Sequence, residues 1–236
     1  MSLASADNRS FRVHWQDGLR ANKLLIFAEL VIAALIMVCG LVGVIPYSST
    51  PALLLLGWLS LWLRSLGWRG VGLTGSAHFA RTALLGIVIG IAYQFLSLIL
   101  VDPLIARLTG RLPDVSQFAP LVGSVKYLLL SLLVTWTLAA FGEELVYRGY
   151  LMNRIAGLVN TPRAGWAVSL LISSILFGVV HSYQGTSGVI ATGLCGLLFG
   201  MMYLASGRNL WLPIIAHGTF DSVGFVLVFF GKYPGL

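Results

Sequence analysis

The stretch FGEELVYRG, Phe141 to Gly149, closes a long apolar run with two adjacent carboxylates and an arginine. An ionisable side chain at membrane depth costs about 2.5–3.5 kcal/mol on insertion scales, so it is rare without a partner or a task. The run before it is long enough to cross a bilayer, and the whole chain shares its character: 58% of residues are hydrophobic and 10% charged, against about 25% charged in a soluble domain. Several such runs approach the ~20 apolar residues of a membrane helix. The pattern therefore predicts one all-α domain over residues 1–236, a polytopic bundle of about seven spans, rather than a globular domain with one anchor.

Working back from Phe141, the fourth span rises from about Gly123. Between Asp102-Pro103, read as the end of span three, and Gly123, the chain carries Arg107, Arg111, Pro113, Asp114 and Pro120, too polar and broken to cross. Span three begins at Arg81, with Gly86 and Gly90 in the small-xxx-small spacing that lets helices approach closely. Residues 65–80 read as a glycine-rich loop. Span two runs from Pro51 to Leu63, short unless Arg64 snorkels. Span one, Leu24 to Ile45, is too long for a signal-peptide core and is read as retained. Glu29 inside it is expected to snorkel or pair with the basic tail at residues 1–23. Working forward, span five covers roughly Ala164 to Ser182, span six Gly188 to Ala205 with Gly196 and Gly200, and span seven Trp211 to Phe230.

The net charge of +7 does not make a nucleic-acid surface, because lysines and arginines sit singly between apolar runs. They fit membrane orientation better. With seven spans and a cytoplasmic N-terminus, eleven basic residues fall inside and four outside (Arg107, Arg111, Lys126, Lys232), which satisfies the positive-inside rule. Cys39 and Cys195 lie in apolar runs without metal or redox spacing. His14 and His78 lie in polar flanks and are read as structural.

From Gly142 onward the polar intramembrane residues form three pairs at i, i+4, the spacing that puts both members on one helix face: Glu144 with Arg148, Phe177 with His181, and His217 with Asp221. Glu143 projects about 100° around the helix from Glu144. Arg148 can hold Glu144 in a structural pair, leaving Glu143 free to take a proton as general base. His181 lies roughly 27 Å along a helix counted from Arg163. A fourth helix ending at Arg148 would leave Glu143 out of its reach. The spacing instead predicts a fourth helix running through Arg154 toward Gly157, which sinks Glu143 by about 21 Å, beside a tilted fifth helix and a cavity open to the cytoplasmic side.

EELVYRG, the FGVVH from Phe177 to His181 and the HGTFD from His217 to Asp221 resemble the three signatures of the CPBP family, which joins type II CAAX prenyl proteases with bacteriocin-processing and immunity (Abi) membrane proteins. The likeness covers about Gly142 to Asp221, within a helical core at 123–230. It implies an intramembrane endopeptidase of a bacterial inner membrane, acting on a membrane-bound peptide that is either lipid-modified or not. In that family role Glu143 and His181 activate water, while His217 with Asp221 stabilises the oxyanion; Glu144, Arg148 and Phe177 support them. The prenyl proteases carry asparagine where this chain has Asp221, and an ionised aspartate donates no hydrogen bond. Asp221 is left either to orient His217 or to bind a cation. Members are often labelled metalloproteases. Glu143, His181 and His217 would supply two histidines and a carboxylate for zinc, in which case Glu143 would not be the free base. A non-proteolytic immunity or peptide-binding protein is the alternative from another class, and an ion-coupled transporter is weakened by the absence of a two-half repeat.

Overall fold

A computed structural model describes residue 18, residues 22–75 and residues 78–236. Arg9, Arg12, His14 and Arg20 lie outside the described residues. Among the described residues there is no strand, and the chain is a bundle of helices. Helix α1 is Lys23–Leu41, α3 Phe79–Thr109, α4 Val125–Leu158, α5 Pro162–Val179, α6 Ser182–Ala205 and α7 Trp211–Phe229. These six are long and apolar enough to cross a membrane. Their outer faces carry large apolar side chains such as Leu84, Leu108, Leu129 and Ile175, a surface that suits lipid and not water. The chain is thus an integral multi-pass membrane protein.

The second span expected from sequence is a shorter helix, α2, Thr50–Leu63, of 14 residues. At about 21 Å it falls short of a ~30 Å hydrocarbon core. Arg64 at its end does not snorkel. It is fully buried and donates to Glu29 Oε1 at 2.6 Å, while Ser60 Oγ donates to Glu29 Oε2 at 2.7 Å. Arg154 of α4 approaches the same carboxylate at 3.7 Å. Glu29 is therefore held inside the bundle by groups from the end of α2 and from α4. A carboxylate at that depth needs a partner, and residues far along the chain supply it.

Asp102-Pro103 does not end span three. Ser97–Val101 widens into a π-helical turn, Pro103 sits in the first turn after it, and α-helix continues to Thr109. A proline lacks a backbone N–H, and the first turn of a helical segment is where that loss is tolerated. As a result Asp102 lies within a 31-residue helix and is buried.

The ends of the bundle alternate. Lys23 pairs with Asn160, and the loop after α2 meets the turn before α7 through Leu210 N donating to Gly72 O at 3.0 Å. Gly123 N donates to Phe229 O at the far end, near Asp114 N to Gln184 O. We call these the Lys23 end and the Phe229 end. Close crossings fix the helices in depth. A Cβ at Gly90 would stand 2.5 Å from Ala216 O, and one at Gly86 2.9 Å from Ile215 Cβ, so α3 lies backbone-to-backbone on α7. Gly196 and Gly200 do the same for α6 against Phe177 and Leu170 of α5. Both small-residue faces read from the sequence are helix crossings.

Candidate active site

Helix α4 runs on past Arg148 and Arg154 to Leu158, as the depth of Glu143 requires. Its hydrogen bonding is π-helical over Thr135–Glu143 and again over Leu145–Leu151. Such widened turns recur at functional sites because they re-aim side chains. Gly142 sits against Thr50 and Leu54 of α2, where a Cβ would come within 3.2 Å. The two carboxylates that follow it diverge.

Glu144 points into packed protein and is fully buried. Its Oε1 accepts from Arg148 Nη1 at 2.8 Å and faces His217 Nδ1 at 3.0 Å. Arg148 is buried too. It donates to the carbonyl of Gly196 at 2.7 Å and lies over the Phe177 ring, 4.8 Å from its centroid. The expected Glu144–Arg148 pair exists. The link to His217, 73 residues away, was not read from the sequence. Glu143 makes no hydrogen bond or ion pair among the described residues and lines a cavity of about 870 Å³.

His181, His217 and Asp221 line the same cavity. His181 follows α5 directly, one residue past its capping Val180. Its Nδ1 sits 2.7 Å from the Phe177 carbonyl. A carbonyl only accepts, so Nδ1 carries the proton and Nε2 of the neutral ring is left as an acceptor. Burial pushes the His181 imidazole below its usual range. Phe177 contributes more than its backbone: its ring packs on Tyr147, His181 and His217. His217 stacks on Phe199 and presents Nε2 to Asp221 Oδ2 at 3.5 Å. That distance is at the limit of a hydrogen bond, against 3.0 Å on the Glu144 side. Tyr147, inside the FGEELVYRG stretch, and Gln94, a polar residue within an apolar span, also line the cavity. The sequence carried both signals.

The mouth of the cavity differs from expectation. Its rim is lined by the end of α1 and the loop to α2, the segment between α3 and α4, the turn after α5 and the chain beyond α7, including Tyr47, Gln117, Tyr183 and Tyr233. All of these belong to the Phe229 end. The expectation combined a cytoplasmic N-terminus with a cytoplasmic mouth, and the two lie at opposite ends. The cause is His181: α5 starts at the Lys23 end, so the residue that follows it opens the site on the other side.

The zinc set does not assemble. Among the described residues no three His, Cys, Asp or Glu side chains group closely enough to hold a metal ion. His217 faces a carboxylate on each nitrogen, and Nδ1 of His181 is taken by a carbonyl. Glu143, His181 and His217 therefore do not fit the ion as a ligand set.

Residues 125–223 match the family model described as type II CAAX prenyl endopeptidase Rce1-like. Over that stretch the chain is similar to the Rce1-like family. The matched stretch runs from the start of α4 into α7 and contains Glu143, Glu144, Arg148, Phe177, His181, His217 and Asp221. An Escherichia coli relative described as an uncharacterized 24.3 kDa protein is 33% identical over 104 residues, 43% of this chain and 45% of the relative. The match thus spans less than half of that relative's length. No solved structure matches the chain.

Proposed function

We propose that the protein is an intramembrane endopeptidase that hydrolyses a peptide bond in a membrane-associated peptide, with water activated by Glu143. The observation that carries this reading is the unequal treatment of two neighbouring carboxylates. Glu144 is held by Arg148 and His217, whereas Glu143 faces the cavity without a partner among the described residues. A general base needs that freedom. Glu143 takes a proton from water, and the hydroxide attacks the scissile carbonyl carbon, with the carbonyl π pair moving to oxygen. His181 Nε2, an acceptor in the neutral ring, orients the same water. His217 Nε2–H faces the developing oxyanion. That role requires a proton on both nitrogens of His217, one shared with Glu144 and one near Asp221. Asp221 then orients His217 rather than donating itself. Collapse of the tetrahedral intermediate breaks the C–N bond, and the proton held by Glu143 goes to the leaving nitrogen.

The Rce1-like match supports this reaction class, and the mouth at the Phe229 end supports delivery of the scissile segment from that face of an inner membrane. Purified protein incubated with membrane-anchored reporter peptides, with products identified by mass spectrometry, tests it. Glu143→Gln, His181→Ala and His217→Ala are each expected to slow cleavage by about 100-fold or more. Full activity in any one removes that residue's role. Selective binding of a peptide by the parent with no cleavage would instead indicate a non-proteolytic immunity or interaction protein.

A further inference from the structure

The cavity holds a second polar group away from the proposed chemistry. Asp102 of α3 is only 7% exposed, and among the described residues its carboxylate accepts one hydrogen bond, from Ser97 Oγ to Oδ1 at 3.1 Å. No cation among the described residues pairs with it, in contrast to Glu29 and Glu144. Eight residues earlier on the same helix, Gln94 is 1% exposed, and among the described residues its Nε2 makes no close hydrogen bond, only a longer interaction with the Tyr233 side chain. Both residues line the cavity, and Tyr233 lines it beside them. A Cβ at Gly224 would meet Gln94 Oε1 at 3.5 Å and Tyr233 Cε2 at 3.6 Å. Cys195 and Asp221 line the same cavity as this group, so it shares one space with the proposed catalytic cluster.

Charge decides what such a group takes. The chain has 15 lysines and arginines against 8 acidic residues, yet among the described residues the cavity wall includes Asp102, Glu143 and Asp221 and no lysine or arginine. A carboxylate in a membrane interior needs a counter-charge. A donor such as Gln94 Nε2, buried without a close hydrogen bond, is costly until a well-placed acceptor reaches it. A peptide residue with a cationic side chain answers both needs, its charge on Asp102 and a nearby backbone carbonyl on Gln94.

We propose that Asp102, with Gln94, forms a specificity subsite for a lysine or arginine side chain of the peptide substrate. The inference rests on the endopeptidase reading for the word substrate, while the binding preference is independent of cleavage. A metal ion is a poorer occupant, since no three ligating side chains group there among the described residues.

The test uses the full chain in detergent and a short apolar fluorescein-labelled peptide with a single arginine, placed at each position in turn, beside its neutral citrulline twin. Fluorescence anisotropy should show the arginine form binding about tenfold tighter at one or more positions, the scale of a hydrogen bond to a charged group. Asp102→Asn should erase that preference while leaving the citrulline peptide bound as before, which also reports that the variant is folded. Asp102→Glu should keep part of it. Equal binding of both peptides by the parent at every position overturns the proposal, and so does an Asp102→Asn variant that retains the preference. Preference without cleavage would overturn the endopeptidase reading and leave the subsite standing. Cleavage without preference would do the reverse.

Discussion

Adjacent residues of one type can hold opposite positions in the energetics, and Glu143 and Glu144 are an instance. Removing the charge of Glu144 strands the buried guanidinium of Arg148, and breaking a buried pair from one side costs about 3–5 kcal/mol. Glu144→Gln should therefore lower the unfolding midpoint in detergent markedly, whereas Glu143→Gln should stay within about 1 kcal/mol of the parent, since it breaks no bond. Equal losses in the two variants would contradict the division of roles. His181 makes a pH prediction. Burial lowers its pKa, so the ring stays neutral until the pH falls through a value below ~6.5 and only then loses its acceptor at Nε2. The acidic limb that His181 contributes to kcat/KM should accordingly lie below ~6.5, as should its titration by NMR of labelled histidine, assigned with His181→Gln. A titration above that value would contradict the buried, Nδ1-donating ring.

At the scale of helices, the sequence was legible where hydropathy and small-residue spacing speak locally. The expected boundaries of the first and last three spans fall within a few residues of α1 and α5 to α7, apart from a later end for span one and an earlier start for α6. The glycine faces at Gly86 and Gly90 and at Gly196 and Gly200 became helix crossings. Illegible were the features set by distant partners or by hydrogen-bond shifts within a helix. The mates of Glu29 lie on α2 and α4, so no local pattern announces them. Pro103 reads as a stop because its neighbours cannot reveal the π-helical turn that accommodates it, and that misreading hid Asp102 as a cavity residue. The crossing of α3 on α7 carries its own prediction. Gly90→Val would push against Ala216 O, one residue before His217, and overpacking of this kind costs about 1–3 kcal/mol. It should lower both thermal stability and cleavage rate, while valine at Gly75, which meets nothing within 4 Å, should change neither.

The whole molecule is organised as two ends with a site reached from one of them. Lys23, Arg64, Arg154, Arg163 and Arg208 gather toward the Lys23 end, and the mouth lies at the other. The positive-inside rule predicts a cytoplasmic Lys23 end, and with it a cavity that opens outward. In a background lacking Cys39 and Cys195, a cysteine at the exposed Tyr47 should react with a membrane-impermeant maleimide on intact cells, and one at Asn160 only after lysis. The reverse pattern would turn the molecule over and bring the mouth to the cytoplasm. The three signatures in order, and the pairing of Glu144 with Arg148, were readable before any fold was in hand. The direction of the mouth was not, because it depends on which end of α5 carries His181.

The most direct measurement is hydrolysis of a membrane-anchored reporter peptide in 18O-labelled water by the purified parent and by Glu143→Gln, compared at equal folded fraction. The parent should place the label in the new carboxylate, and the variant should do so at least about 100-fold more slowly. Undiminished incorporation by Glu143→Gln would contradict its role as the base that activates water.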